Sequence, residues 1–397
     1  MSGKSAANNN ETSSRLKRLG TLGQSVWLDF IDRAFLASGG LARLVEQDGV
    51  SGVMSNPAIL EKAIVHGSAY DQQLLEEWAR PGATARTVYD TMIASDVAQA
   101  ADILLPIYRQ RGGCDGYVSV EVAPDIASDA AGIIAEARRW WKRVARPNLM
   151  VKVPATGAGV AAIRPLIEDG INVNATLLFA VDRYAEVLEA HISGLENRAN
   201  RGLPIGEVAG VASFFVSRID VAADREIDAR IAAGDAQSDA LRRLRGKLAI
   251  ASAGMAYHTW QDATKGARWR ILADKGALPH RLLWALTDAR NPACSDVHYV
   301  DRLIARNTIS ALPPATLDAF RDHGTVSSTL DGARDEARSL LHEAADLGIS
   351  LDAITAELLR AGMEQSAQAA ARSVQAIARR QAAMQVLEGA LDGRTGL

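Results

Sequence analysis

The chain has 397 residues, of which 48% are hydrophobic and 23% charged, and its formal net charge is −3. Such a composition permits a large buried core and excludes global disorder. The near-neutral charge gives no basis for general binding to nucleic acid or an anionic membrane surface.

Residues 1–20 are expected to form a flexible tail. Its polar stretch Ser2–Ser14 (SGKSAANNNETSS) lacks the apolar segment of a signal peptide. Residues 21–325 alternate short β-prone runs with longer helical stretches, the pattern of a parallel sheet with helical crossovers. The candidate strands are Ser25–Phe30, Gly52–Asn56, Tyr117–Val122, Leu149–Pro154, Ile171–Leu177, Val208–Val216, Arg281–Leu286 and Thr308–Ser310. Between them, Ser128–Val144 reads as a helix capped by Ser128 and ending before Pro147. Val181–Leu195 places Val181, Tyr184, Val187, Leu188 and Ile192 on one face. The stretch from Arg218 to Ala263 is too long for one crossover and is expected to hold two helices. Residues 326–397 are rich in Ala, Glu and Arg at helical spacing, and are expected to be C-terminal helices packed on the preceding unit. No apolar run approaches the roughly 20 residues that span a bilayer. The two cysteines, Cys114 and Cys294, form no CxxC pair, and their scarcity fits a reducing cytoplasm. Eight strands, with no Gly-rich phosphate loop after the first, favour an α/β fold closed as a (β/α)8 TIM barrel over a doubly wound sheet.

Strands buried on both faces should read as continuous apolar runs. Several of these break that rule near their C-terminal ends: Asp29, Asn56, Glu121, Lys152, Asn174 with Thr176, and Ser213. C-terminal strand ends converge on the mouth of a barrel, where catalytic groups sit. Enclosure among Leu149, Met150, Val151 and Val153 favours the neutral, nucleophilic amine of Lys152. Such an amine attacks a ketone to give an iminium, which is an electron sink for breaking a carbon–carbon bond. Asp29 and Glu121 are carboxylates available for the accompanying proton transfers. The chain has no HExxH, CxxC, GxxxxGK[ST] or strand-linked GxGxxG, and its seven histidines are scattered, so neither a metal nor a cofactor is expected.

Seven ordered motifs carry a resemblance: SGVMSNPAIL at Ser51–Leu60, VSVEV at Val118–Val122, LMVKVPAT at Leu149–Thr156 and GINVNATLLF at Gly170–Phe179, then SFFVSRID at Ser213–Asp220, NPACSDVHYVD at Asn291–Asp301 and LPPATLDAFRDHG at Leu312–Gly324. Together they resemble the longer bacterial transaldolases, of the class I Schiff-base aldolase superfamily. The resemblance extends from about Leu22 to Gly324 and more loosely through the C-terminal helices. It implies transfer of a dihydroxyacetone unit between sugar phosphates in the cytoplasmic pentose phosphate pathway, without a cofactor. The reaction so implied interconverts sedoheptulose 7-phosphate plus glyceraldehyde 3-phosphate with erythrose 4-phosphate plus fructose 6-phosphate.

Carried over onto matching positions, Lys152 would form the Schiff base and Asp29 would move the proton that drives carbon–carbon cleavage. Glu121 and Thr176 would hold the water of imine formation and hydrolysis. Asn56 and Asn174 would bind substrate hydroxyls, Ser213 and Phe215 would line the site, and Arg218 would grip phosphate. Plainer readings are a turn residue for Asn56, an ordinary strand threonine for Thr176, packing for Phe215 and a solvated charge for Arg218. Trp284–Pro292 reads WALTDARNP where relatives usually read WASTxxKNP, so Leu286 replaces a hydroxyl and Arg290 replaces a lysine. Arg290 remains a candidate phosphate cation, although Arg and Lys differ in geometry. Two alternatives follow: a transaldolase-like enzyme of a specialised sugar pathway with another donor or acceptor, and a non-catalytic paralogue that binds sugar phosphate. The expected partners are sugar phosphates, not nucleic acid or membrane, with the chain as a monomer or homodimer.

Overall fold

The structure is a computed structural model that describes residues 14–55 and 57–392. Eight parallel strands close into a barrel in chain order: β1 Gln24–Leu28, β2 Val50–Met54, β3 Tyr117–Glu121, β4 Leu149–Pro154, β5 Val173–Leu178, β6 Gly210–Phe215, β7 Arg281–Ala285 and β8 Thr308–Leu312. Helices connect successive strands, so the fold is the expected (β/α)8 barrel. The strand bounds differ from the sequence expectation by only a few residues at either end.

Alternation along each strand sorts side chains between the barrel interior and the helical shell. Trp27, Tyr117, Met150, Val211, Leu283 and Ile309 form an interior cluster of their own. Their neighbours Leu28, Val118, Val151, Ala212 and Leu282 belong to the larger core shared with the helices. Two residues further along β3 and β4 from Tyr117 and Met150, the same inward face carries Ser119 and Lys152. The barrel therefore has an apolar layer below and a polar layer above, towards the C-terminal strand ends. Beneath the apolar layer, at the N-terminal end, lies buried Asp115, which accepts hydrogen bonds from Trp27 Nε1 (2.9 Å) and Ser51 Oγ (2.8 Å), and from Ser25. Arg281 donates to Ser25 Oγ and to the Thr308 carbonyl, both at 2.7 Å, closing that network.

Three expectations are corrected. The tail expected over residues 1–20 does not reach that far: Arg15–Thr21 is helical, capped by the Ser14 side chain, with Leu16 and Leu19 buried beneath it. Residues 1–13 lie outside the described residues. The helix Ala130–Val144 is capped by Asp129 rather than Ser128, because the Asp129 carboxylate accepts from Ala131 N. Between Arg218 and Ala263 the chain forms parts of three helices, Ser217–Ala232, Ser238–Leu244 and Leu248–Lys265. The short middle one buries Leu241 and Leu244 against the C-terminal region.

Beyond β8 the chain continues as helices Pro314–His323, Arg334–Asp346 and Leu351–Asp392. The last spans 42 residues and packs on helices Pro57–His66 and Ala85–Gln110 and on β5. Among the described residues no helix is long and apolar enough to cross a membrane.

Outside the barrel wall, His191 and His280 stack edge to face at 4.9 Å over Gly210. Gly210 permits that approach, since a Cβ there would fall 2.5 Å from His191 Nδ1. Neither ring nitrogen of His191 has a hydrogen-bond partner among the described residues. Burial pushes the His191 pKa down to about 3, and burial together with its neighbour pushes His280 well below the ordinary value. Both rings are thus neutral in the folded chain but bind protons in the unfolded chain below pH ~6.5. Their contribution is present above that pH and lost as pH falls. His191→Phe should accordingly flatten the pH dependence of unfolding free energy between about pH 4 and 6 by ~1.4 kcal/mol per pH unit. Denaturant titrations giving the same slope for both proteins would refute this.

Candidate active site

Strand register brings the polar residues together. Glu121 pairs with Lys152 across β3 and β4, and Lys152 pairs with Asn174 across β4 and β5. The Lys152 ammonium lies 3.9 Å from Glu121 Oε2, with only 11% of its side chain exposed. Asn174 is fully buried and fixed from both sides. Its Nδ2 donates to Ser119 Oγ at 3.2 Å, and its Oδ1 accepts from Ser213 Oγ at 2.7 Å. A cavity of about 40 Å³ bordered by Ser55, Tyr89 and Glu121 lies beside the Glu121 carboxylate. It is large enough for a water molecule.

Asp29 follows β1 by one residue, where its backbone N–H donates to the Leu312 carbonyl at 2.9 Å. Burial raises its carboxyl above the ordinary range. Lys152 opposes that shift, while Asp288 and Glu121 add to it. Asp29 is therefore electrostatically part of the Lys152 group, although β1 and β4 are not adjacent in the barrel. Thr176 is buried on β5, two register pairs beyond Lys152 and Asn174. Phe215 packs edge to face on Phe179 at 5.2 Å, half-buried at the end of β6. Asn56 lies outside the described residues.

The two candidate phosphate cations differ. Arg218 stands in the first turn of Ser217–Ala232, half-buried and without an ion-pair partner among the described residues. Arg290 is exposed, and its Nε is held 2.6 Å from Asp288 Oδ2. The loop carrying that pair is anchored to the barrel. The Leu286 carbonyl accepts from Ser217 N at 3.2 Å, and Thr287 Oγ1 donates to the Ala311 carbonyl at 2.9 Å. Leu286 adopts φ +53°, an uncommon conformation for a branched residue.

Residues not singled out by sequence also touch this group. Ser119 supports Asn174, and its position two before Glu121 on one strand face was a usable signal. Ser366, on the C-terminal helix, donates to Glu121 Oε1 at 3.4 Å, a contact that no local pattern could reveal. That helix approaches closely because residue 362 is glycine: a Cβ there would sit 2.9 Å from Leu177 Cδ2. No group of three or more His, Cys, Asp or Glu side chains among the described residues could hold a metal ion.

The family model for transaldolase/fructose-6-phosphate aldolase matches residues 26–377, which takes in the barrel and most of the final helix. The chain belongs to this family. It is 43% identical over 351 residues to transaldolase 2 of Nostoc sp., covering 87% of this chain and 92% of that protein. Transaldolases of Thiobacillus denitrificans and Thermobifida fusca are 44% and 42% identical, each over 88% of this chain and over 95% and 94% of their own lengths.

Two of the motifs that resemble the family, SFFVSRID and NPACSDVHYVD, meet through a buried carboxylate. Asp220 accepts from Tyr299 Oη at 3.0 Å and from Ala249 N at 2.8 Å. Burial pushes its pKa up to about 6 despite both bonds. This junction fixes the helix that presents Arg218. Tyr299→Phe leaves one oxygen of that buried group without its donor and should cost about 1–3 kcal/mol in denaturant unfolding. An unchanged midpoint would show that the hydroxyl contributes nothing.

Proposed function

We propose that the protein is a transaldolase, transferring a dihydroxyacetone unit from sedoheptulose 7-phosphate or fructose 6-phosphate to an aldose phosphate acceptor through a Schiff base on Lys152. The reading places it in the cytoplasmic pentose phosphate pathway, as a monomer or homodimer, without metal or cofactor and without nucleic-acid or membrane partners. It rests above all on one observation, the Lys152 amine enclosed in the barrel 3.9 Å from Glu121, with Asp29 in electrostatic reach.

In this mechanism Lys152 passes a proton to Glu121, and its amine attacks the donor ketone carbon to give a carbinolamine. Glu121 returns that proton as the carbinolamine hydroxyl leaves as water, which Glu121 and Thr176 hold, and the iminium remains. Ionised Asp29 then takes the proton of the donor hydroxyl carried by the far carbon of the bond to be broken. The carbon–carbon bond breaks as that oxygen becomes a carbonyl, the electron pair passes to the iminium, and the shortened aldose leaves. The enamine left on Lys152 attacks the acceptor aldehyde carbon, and Asp29 returns the proton to the new alkoxide. Water then hydrolyses the iminium and frees the ketose and Lys152. Asn174 and Asn56 would orient hydroxyls, Ser213 and Phe215 would line the cavity, and Arg218 would hold the phosphate. Raising the Asp29 pKa suits it to both halves of this exchange, since proton transfer is most efficient when donor and acceptor are closely matched.

The Asp288–Arg290 pair favours a second reading, in which the same chemistry serves a donor or acceptor other than the usual phosphorylated pair. A non-catalytic sugar-phosphate binder would have no use for an enclosed lysine next to two carboxylates.

Lys152→Ala should abolish transfer from fructose 6-phosphate to erythrose 4-phosphate while leaving the circular dichroism spectrum intact, and EDTA should leave wild-type turnover unchanged. Turnover persisting in Lys152→Ala, or lost to EDTA and restored by a divalent ion, would overturn the reading. Removing each carboxylate should separate the steps. Asp29→Ala should slow carbon–carbon cleavage by about 10²–10⁴-fold and let the donor imine accumulate. Glu121→Ala should instead slow imine formation and hydrolysis. Equal imine levels and equal formation rates in the two variants would contradict that division.

A further inference from the structure

The rim of the mouth between β6 and β7 carries two arginines and one carboxylate. Arg218 has no ion-pair partner among the described residues, while Arg290 is held at 2.6 Å by Asp288. Asp288 is only partly exposed, at 28% of its side chain, and it acts on Asp29 electrostatically, which places it at the reacting end of the barrel. Its position is set by its neighbours in sequence: Thr287 is fully buried and bonded to Ala311, and the Leu286 carbonyl is bonded to Ser217, immediately before Arg218. The carboxylate thus sits on an anchored loop within electrostatic reach of the proton-transfer residue.

We infer that Asp288 is a specificity-determining residue that weighs against a phosphate group at this rim, both by occupying Arg290 and by opposing a second negative charge. A phosphate monoester carries a charge of roughly −1.5 to −2 at neutral pH. Its binding here requires the carboxylate to release Arg290 or to remain beside the incoming oxygens. An unphosphorylated polyol end meets no such conflict, and its hydroxyls can donate to the carboxylate. Both the short contact and the anchored loop oppose a costless rearrangement.

This inference deepens the proposed function and rests on the same mouth, so its test includes a readout independent of turnover. Kinetics of donor use by the wild type and Asp288→Asn should be compared for fructose 6-phosphate and fructose. Binding of inorganic phosphate should be measured by calorimetry on the same proteins. Asp288→Asn should lower the ratio of KM for the phosphorylated to the unphosphorylated ketose by about tenfold, the scale of one charge-assisted contact, and should tighten inorganic phosphate by a similar factor. In Asp288→Asn/Arg290→Gln the gain should shrink to the part that comes from removing the carboxylate's own repulsion, because the released guanidinium is gone. A ratio and a phosphate affinity that stay unchanged in Asp288→Asn would overturn the inference. A rise in the ratio with weaker phosphate binding would also overturn it, by showing that Asp288 aims Arg290 at phosphate. Tightened phosphate binding in a protein whose Lys152→Ala variant still turns over would sink the Schiff-base reading and leave this inference standing.

Discussion

A lysine side chain held inside a closed barrel needs a counter-charge, and the rest of the mouth is arranged around that requirement. An unpaired ammonium in low dielectric is costly, and a carboxylate at 3.9 Å offsets much of that cost. Because β3 and β4 pair in parallel with Glu121 opposite Lys152, a single register decides whether the two charges meet. A slip of one residue would turn either side chain out of the barrel into the apolar shell. The same register places Asn174 opposite Lys152 on the other side. There Ser119 and Ser213 satisfy its amide, so the polar layer is hydrogen-bonded around the lysine. The layer beneath, from Trp27 to Ile309, supplies an apolar floor of low dielectric, which strengthens these interactions.

Much of this was legible in the sequence because parallel strands buried on both faces should be apolar throughout. A lysine in LMVKVP or an asparagine in INVNATL stands out against that expectation. It pointed to Lys152, Glu121, Asn174 and Ser213, which the structure brings into one group of contacts. Asp29 was legible as a break in SVWLDF, although it lies just beyond its strand. Long-range contributions were not legible. Ser366 reaches Glu121 across 245 positions of chain, and Asp220 meets Tyr299 across 79. Periodicity carries no information about such meetings. The helix Arg15–Thr21 was hidden for another reason: its two buried leucines are too few to stand out beside a polar leader.

Arg290 shows where residue type alone stops. The sequence offers a cation near the end of β7, and the structure adds that Asp288 holds it. The departure WALTDARNP changes two positions together, a hydroxyl to Leu286 in a left-handed conformation and a lysine to Arg290, and Asp288 stands between them. The loop remains tied to β8 and to the start of Ser217–Ala232, so its backbone stays bonded to the barrel. At the other side of the mouth, the C-terminal helix comes close at Gly362, which adds no side chain against Leu177. The barrel supplies the polar layer, and this helix covers it.

The central claim is covalent, so a covalent readout tests it most directly. Protein incubated with fructose 6-phosphate, reduced with borohydride, digested and mapped by mass spectrometry should carry a three-carbon adduct on the peptide containing Lys152. An adduct confined to Lys247, Lys265 or Lys275, or none at all under conditions that support turnover, would contradict the account.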